Sequence, residues 1–448
     1  MSQMRIPEHG TPAEAVLSDL CAARSDDADW RSGRTWSLVY FAGDEVLELA
    51  KKAYTAYFSE NGLSPIAFKS LRRFENEVVA MTASMLHAPE TSRGTMTSGG
   101  TESILMAVKA ARNNARASHP EIDEPEILAP ISVHPAFEKA AHYLGLKVVH
   151  IPVDADLRAD TEAAASLLTA NTVLVVGSAP SYPHGVVDPI PALAALAAEH
   201  GLPMHVDACL GGFLLPWLEK LGEPIPPWDF RVPGVTSISA DLHKYGYAAR
   251  GASTVLYRDA DLRRHQFFAY ADWPGGLYAS PSMSGSRPGG AIAAAWAVLN
   301  HLGEDGYLRL AARVRDTTRR LLDGIGAIPE LQILGEPVGS VFAFTSDALN
   351  VYVLGDCMTA RGWALDRQQY PPALHQMVTP AHAEAVGAYL SDLRAAVAET
   401  LAMGDELASD GSAAMYGMAA TIEDRGFVEE IAIEFIDQVF DLDGDPPL

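Results

Sequence analysis

Ser-Ile-Ser-Ala-Asp-Leu-His-Lys-Tyr-Gly, residues Ser237 to Gly246, is the stretch from which the rest of the chain is read. Val235, Ile238 and Ala240, with small hydroxyl residues between them, describe a buried strand that breaks into His243-Lys244. A lysine directly after an apolar strand is costly to bury unless chemistry keeps it there. Alone, a lysine is most often a surface residue; its company changes that reading. His-Val-Asp-Ala-Cys occupies 205–209, Thr-Ser-Gly-Gly-Thr 97–101 and Ser-Gly-Ser-Arg-Pro-Gly-Gly 284–290. An amine, an acid at a strand end and glycine-hydroxyl loops are the parts of a pyridoxal phosphate (PLP) site.

Composition bounds the answer. A chain of 448 residues, 48% hydrophobic and 20% charged, has ample core for a large α/β domain and a smaller one. No run approaches the length of a membrane span, and the polar stretch from Met1 to Pro12 lacks the basic and apolar regions of a signal peptide. Cys21, Cys209 and Cys357 are too few and too scattered for a disulfide framework or a CxxC metal site, so the expectation is a reducing cytoplasm and no metal. A net charge of −24 argues against nucleic acid and against adsorption on anionic lipid. It leaves room for an amphiphilic small molecule in a locally basic pocket.

Taken in order, residues 1–36 read as an arm laid over another surface. Val46, Ala50, Tyr54, Tyr57 and Phe58 share one face of a helix over Asp44 to Ser59, and Leu71, Phe74, Val78, Met81 and Met85 stripe a second. Next, Gly94-Thr-Met-Thr-Ser-Gly-Gly-Thr-Glu-Ser precedes a helical run from Ile104 to Ala117. Glycines let a backbone close around an anion, and the amides opening a helix point at it. Ser98, Gly100 and Thr101 are therefore candidates for a cofactor phosphate, against the plainer reading of a Ser/Thr helix cap.

From there strands alternate with helices: strands over Ile127–Val133, Leu146–Val153, Thr172–Ser178, Pro203–Val206, Val235–Ala240 and Ser253–Tyr257, helices over Pro135–Leu144 and Pro189–His200. This alternation predicts a doubly wound, mostly parallel sheet with its ligand at the carboxyl ends of the strands. His134, Asp207 and Lys244 all fall at such ends. Asp207 can pair with a pyridinium nitrogen, Lys244 can bond the cofactor with its pKa lowered by burial and a nearby cation, His134 can stack on the ring and His243 can reach the phosphate. Beyond Arg287, helices over Ala291–Leu302 and Tyr307–Ile325 lead to strands at Leu331–Leu334, Val341–Thr345 and Leu374–Val378 and a helix over Ala381–Ala402, the pattern of an α+β cap. Asp441 to Leu448 reads as a frayed tail. The expected division is an arm and first helix (1–60), a large cofactor-binding domain (61–302) and a small C-terminal α+β domain (303–448).

Longer stretches carry a resemblance. Thr-Ser-Gly-Gly-Thr-Glu-Ser-Ile-Leu-Met-Ala, Tyr-Pro-His-Gly-Val-Val-Asp-Pro-Ile (182–190), His-Val-Asp-Ala-Cys-Leu-Gly-Gly-Phe, Ser-Ile-Ser-Ala-Asp-Leu-His-Lys-Tyr-Gly-Tyr and Asp-Trp-Pro-Gly-Gly-Leu-Tyr-Ala-Ser-Pro (272–281) resemble the sphingosine-phosphate lyase family. The likeness runs from about Tyr40 to the Tyr-Gly-Met-Ala near residue 418. It implies a fold-type I, aspartate aminotransferase-like PLP enzyme, a homodimer with sites at the subunit interface. It also implies cleavage of the C2–C3 bond of a phosphorylated long-chain base to a fatty aldehyde and phosphoethanolamine. By the same resemblance Lys244 bonds the cofactor, Asp207 is the pyridinium partner and His134 the stacking histidine. Gly100, Thr101 and His243 bind the cofactor phosphate, with Ser286 from the neighbouring subunit. The substrate phosphate falls to Tyr40, Asn61, Ser64 and Arg250. Ser64 departs from the family's histidine, removing one phosphate donor that Lys69, five residues on, can compensate; Arg250 in place of lysine keeps the charge. The base for the C3 hydroxyl stays open between freed Lys244 and a site tyrosine. The alternative is an amino-acid decarboxylase of the related PLP group, although Tyr245 stands where such enzymes usually carry Trp; a third reading is the same fold without activity.

Overall fold

The computed structural model describes residues 5–403, 422 and 424–441. Between residues 93 and 257 lie β1 (Arg93–Thr97) and six strands built mostly on apolar or β-branched runs: β2 (Glu126–Pro130), β3 (Lys147–Ile151), β4 (Thr172–Ser178), β5 (Met204–Asp207), β6 (Val235–Ala240) and β7 (Ser253–Tyr257). They form one sheet in the order β1-β7-β6-β5-β4-β2-β3. The pairings β3–β2, β2–β4, β4–β5 and β5–β6 are parallel. β7 is antiparallel to both neighbours, β6 and β1. β1 was absorbed into the glycine loop in the sequence reading; its Arg-Gly-Thr-Met-Thr lacks a strand's usual apolar run, and pairing with β7 makes it one.

Helices cover both faces. In chain order they are α1 (Ala13–Ala22), α2 (Asp44–Ala56), α3 (Lys69–Met85), α4 (Gly100–Ser118), α5 (Ala136–Leu144), α6 (Thr161–Leu167), α7 (Ile190–Glu199), α8 (Leu215–Lys220), α9 (Ala260–Arg264) and α10 (Gly289–Gly326). Strand alternation sends Ile127, Ala129 and Val176 to a core with α4 and α5, and Leu128, Val175, Val206 and Ile238 to a second core with α7, α8 and α10. This is the doubly wound arrangement expected. Caps mark its helix ends: the Asp160 side chain accepts from the amides of Glu162 and Ala163, and Gly145 closes α5 with φ of 70°. The two expected helices after Arg287 form the single run α10, broken at Gly303, where φ is 55° and ψ −173°.

Two further elements, β8 (Phe268–Tyr270) and β9 (Tyr278–Ser280), make an antiparallel hairpin that leaves Phe268, Tyr270, Trp273 and Leu277 exposed. The C-terminal part builds a second, antiparallel sheet from β10 (Gln332–Ile333), β11 (Val341–Thr345), β12 (Asp366–Gln369) and β13 (Pro372–Met377), ordered β10-β11-β13-β12. α11 (Val351–Ala360) and α12 (Val386–Met403) pack on it around Phe342, Phe344, Trp363, Leu374 and Tyr389. The expected helix over 381–402 divides into a 3-10 turn, Pro380–Glu384, and α12. Trp36 is fully buried in this small core and stacks on His382 at 4.2 Å, so the arm is pinned there. α1 and the last helix described, α13 (Arg425–Val439), bury no residue. The expected tail beyond Asp441 and the Tyr-Gly-Met-Ala stretch at 416–419 lie outside the described residues.

Candidate active site

Because β2, β5 and β6 run parallel, their carboxyl ends open on the same edge of the sheet, and the sequence places a functional residue at or just after each: His134, Asp207 and Lys244. A cavity of about 330 Å³ collects these three with Ser98, Gly100, Thr101 and His243. Seven of the residues singled out in the sequence are thus brought together. The cavity also takes in Glu102, Tyr182, Cys209 and Asp241.

Lys244 is held by Asp241, with Nζ 3.0 Å from Oδ2 of a carboxylate that is 1% exposed. Burial works against the ammonium, but the negative charges of Asp241 and Asp207 outweigh it, so the lysine sits above its ordinary pKa. The sequence reading had the opposite sign, from burial and a neighbouring cation; the nearest charge is an anion. Asp241 itself stays below the ordinary carboxylate value, since Lys244 and His243 more than offset its burial. Its Oδ1 is buried with no hydrogen-bond partner.

Asp207 is braced on one oxygen: the Cys209 amide and the Ser239 hydroxyl both donate to Oδ1, at 3.0 and 3.1 Å. Ser239 is in turn within 3.2 Å of His205 Nε2. Burial brings His205 down to about 4, so this support is neutral and does not neutralise Asp207. His134 accepts the Ala136 amide on Nδ1 at 3.1 Å, which fixes the ring's orientation, and burial lowers its pKa. A neutral imidazole is the form suited to lying against a cofactor ring. His243 accepts the Ala252 amide on Nδ1 at 3.3 Å, and burial lowers it as well.

The amino end of α4 meets this group closely. A Cβ on Gly100 would lie 2.7 Å from Cys209 Sγ and 2.8 Å from Asp241 Oδ2, so only glycine lets the backbone enter. Glu102 reaches back to accept the Ser98 amide at 2.6 Å and also takes the Met283 amide at 2.8 Å, tying the loop to the segment before α10. Helix amides and a positive dipole end at one wall, an acid on β5 and a lysine after β6 are a donor set that fits PLP: Ser98, Gly100, Thr101 and His243 for its phosphate, Asp207 for its ring nitrogen, Lys244 for its aldehyde carbon.

Tyr40 and Arg250 line the mouth, a wider opening of about 750 Å³ that shares His134, Tyr182 and Lys244 with the inner cavity. The Arg250 guanidinium stacks over the Tyr40 ring at 5.5 Å. Asn61, Ser64 and Ser286 line neither cavity. Asn61 Nδ2 donates to Ser286 Oγ at 3.1 Å, while Ser64 Oγ accepts the Ala67 amide at 3.4 Å. Lys69 opens α3 and is exposed.

Three residues escaped the sequence reading. Asp241 stood inside the quoted motif, where a strand-end Asp reads as a cap. Tyr182 opened a quoted motif and was given no role. Asp188 in that motif is structural: it accepts the amides of Ser178 and Ala159 at 2.8 and 3.0 Å, shaping the loop that presents Tyr182.

A model of the pyridoxal-dependent decarboxylase conserved domain matches residues 28–346. The sphingosine-1-phosphate lyase of Arabidopsis thaliana is 43% identical over 443 residues, covering 97% of this chain and 81% of that protein. The solved sphingosine-1-phosphate lyase of Burkholderia pseudomallei superposes with a TM-score of 0.89 at 40% identity, covering 98% of each chain. The glutamate decarboxylase of Lactobacillus brevis shares the fold, with a TM-score of 0.78 at 20% identity over 89% of this chain and 95% of that one. The chain therefore belongs to the sphingosine-1-phosphate lyase family, and is a PLP-dependent lyase built on the decarboxylase fold.

Proposed function

We propose that this lyase breaks the C2–C3 bond of a phosphorylated long-chain base in a retro-aldol reaction, releasing a fatty aldehyde and phosphoethanolamine. The observation that carries the reading is the convergence of Lys244, Asp207, His134 and the amino end of α4 on one cavity whose mouth holds Arg250 and Tyr40. Bound PLP supplies the electron sink for the pair left on C2. Asp207 keeps the ring nitrogen protonated, and its bracing on Oδ1 leaves the carboxylate fixed in direction. Lys244 would hold the cofactor through its aldehyde carbon, and Asp241 holds the lysine's ammonium when it is free. His134 would stack on the cofactor ring. Tyr182 lines the mouth beside Lys244 and His134, which supports a tyrosine, rather than freed Lys244, as the base that takes the proton of the C3 hydroxyl.

Substrate phosphate is bound at the mouth by Arg250 and Tyr40. Asn61 bonds Ser286, and these two and Ser64 line neither cavity of their own chain, which supports a homodimer in which all three serve the other subunit's site. The exposed apolar hairpin β8–β9 and the unburied helix α1 give such a dimer surface to cover. We further propose that the large domain spans 61–302 and the small one 303–448, and that the enzyme works in the cytoplasm, where its three unpaired cysteines stay reduced. Among the described residues no helix is long and apolar enough to cross a membrane.

Product analysis tests the reading. PLP-loaded protein given a phosphorylated long-chain base is expected to yield aldehyde and phosphoethanolamine in equal amounts. Carbon dioxide from an amino acid, with no aldehyde from the base, would instead assign it to the decarboxylases.

A further inference from the structure

Residues of β12 and β13 in the small domain line the mouth of the active site. β12 and β13 pair antiparallel with Asp366 opposite His375, and both side chains meet the loop that carries Tyr182. The Tyr182 hydroxyl donates to Asp366 Oδ2 at 3.2 Å. His375 Nε2 donates to the Tyr182 carbonyl at 2.9 Å, its ring lies 4.5 Å from the Tyr182 ring, and its Nδ1 is 3.7 Å from Asp366 Oδ2. Ser37, from the arm, donates to Asp366 Oδ1 at 3.3 Å. The next residue, Arg367, turns the other way, to Asp356 on α11 at 2.5 Å, and so does not neutralise Asp366.

We propose that Asp366 is a positioning residue of the lyase reaction, aiming the Tyr182 hydroxyl and receiving its proton as Tyr182 takes the one on the substrate's C3 oxygen. The proposal rests on the lyase reading above. The step balances: the C2–C3 bond breaks with its electron pair left on C2, the C3 oxygen becomes the aldehyde carbonyl, and its proton replaces the one Tyr182 passes to Asp366. A phenol bonded to a carboxylate can hand on its own proton in the same motion that accepts another, which a phenol facing only apolar walls cannot do. The receiving group must be ionised. Although burial opposes this, the bonds and charge from His375, Tyr182 and Ser37 keep the Asp366 carboxyl below its ordinary value. With 40% of its side chain exposed, Asp366 can then release the proton to water. His375 and Tyr182 face it directly; across the mouth stand Lys244, His134 and Arg250.

The test uses PLP-loaded full-length protein with a phosphorylated long-chain base, and compares wild type, Asp366→Asn, Asp366→Ser, Tyr182→Phe and the Tyr182→Phe/Asp366→Asn double variant. We expect Asp366→Asn to lower kcat at least about tenfold with KM within about twofold. In the Tyr182→Phe background the same change should cost nothing further, because the acceptor no longer has a donor. The acid limb of the wild-type kcat profile should be absent from Asp366→Asn. Asp366→Ser, smaller and neutral, should behave as the amide does, which separates loss of the carboxylate from a misfit of the amide. Wild-type kcat in both Asp366 variants, or an equal loss with and without the Tyr182 hydroxyl, would overturn the proposal. Absence of aldehyde from the wild type would overturn the lyase reading itself, and this role with it.

Discussion

Lys244 Nζ stands 3.0 Å from Asp241 Oδ2, three residues earlier in the chain and almost wholly buried. The pair explains how a lysine can be held at an apolar sheet edge as an ammonium. A buried ion pair broken on one side leaves an uncompensated charge, so the two residues act as a unit.

The pairing has a pH signature. Lys244 is raised above its ordinary value of 10.5, so the stability it contributes is fully present below that value and is lost as pH rises through the folded pKa. In cofactor-free protein, Asp241→Asn should therefore lower the urea midpoint at pH 8, and its deficit against wild type should shrink as pH climbs past about 10.5. A deficit unchanged with pH would mean that Asp241 acts on stability through packing alone.

Asp207→Asn separates bracing from charge. The amide oxygen can still accept from the Cys209 amide and the Ser239 hydroxyl, so the melting temperature should hold. The ring nitrogen loses its anionic partner, and kcat should fall about 100-fold or more, as for loss of a buried charge pair worth about 3 kcal/mol. Cofactor should remain bonded to Lys244 by absorbance.

Gly100→Ala places a methyl 2.7 Å from Cys209 Sγ and 2.8 Å from Asp241 Oδ2. We expect a loss of about 1–3 kcal/mol in stability and a weaker PLP titration of the cofactor-free protein. Gly387→Ala, with nothing within 4 Å, is the control and should change neither.

The proposed recognition of the substrate phosphate is tested at Arg250 and at the position of Ser64. Arg250→Met should raise KM for a phosphorylated substrate about 10- to 100-fold, the worth of a charged hydrogen bond of about 1.5–3 kcal/mol, with PLP affinity unchanged. Ser64→His should lower KM by restoring a donor. Steady-state kinetics on paired phosphorylated and unphosphorylated bases measures both.

The grouping of the proposed cofactor residues in one cavity was legible because most of them lie at or near strand ends. Alternation places β2, β5 and β6 in order, though β2 ends at Pro130 rather than Val133, and their parallel pairing brings His134, Asp207 and Lys244 to one cavity. Gly100 was legible from its loop. The sign of the Lys244 shift was not, because it depends on which way Asp241 turns at the end of β6. Asp366 and His375 left no trace either: they belong to a different sheet, and the β12–β13 register and the docking of Gly185 against Val341 bring them to Tyr182. Gly185 holds φ of 70° where a Cβ would overlap the Val341 carbonyl oxygen, a tertiary fit with no local signature. Similarly, β7 reads as a strand by its residues, but its reversed direction is set by the short return from Lys244.

The account is tested most directly by the initial rate of aldehyde release from one long-chain amino alcohol in phosphorylated and unphosphorylated form, with PLP-loaded wild type against Lys244→Ala. Release from the phosphorylated form at least about 100-fold faster than from the other, and none from Lys244→Ala, is the predicted result. No aldehyde above the Lys244→Ala blank from either form, in protein whose absorbance shows bonded cofactor, would contradict it.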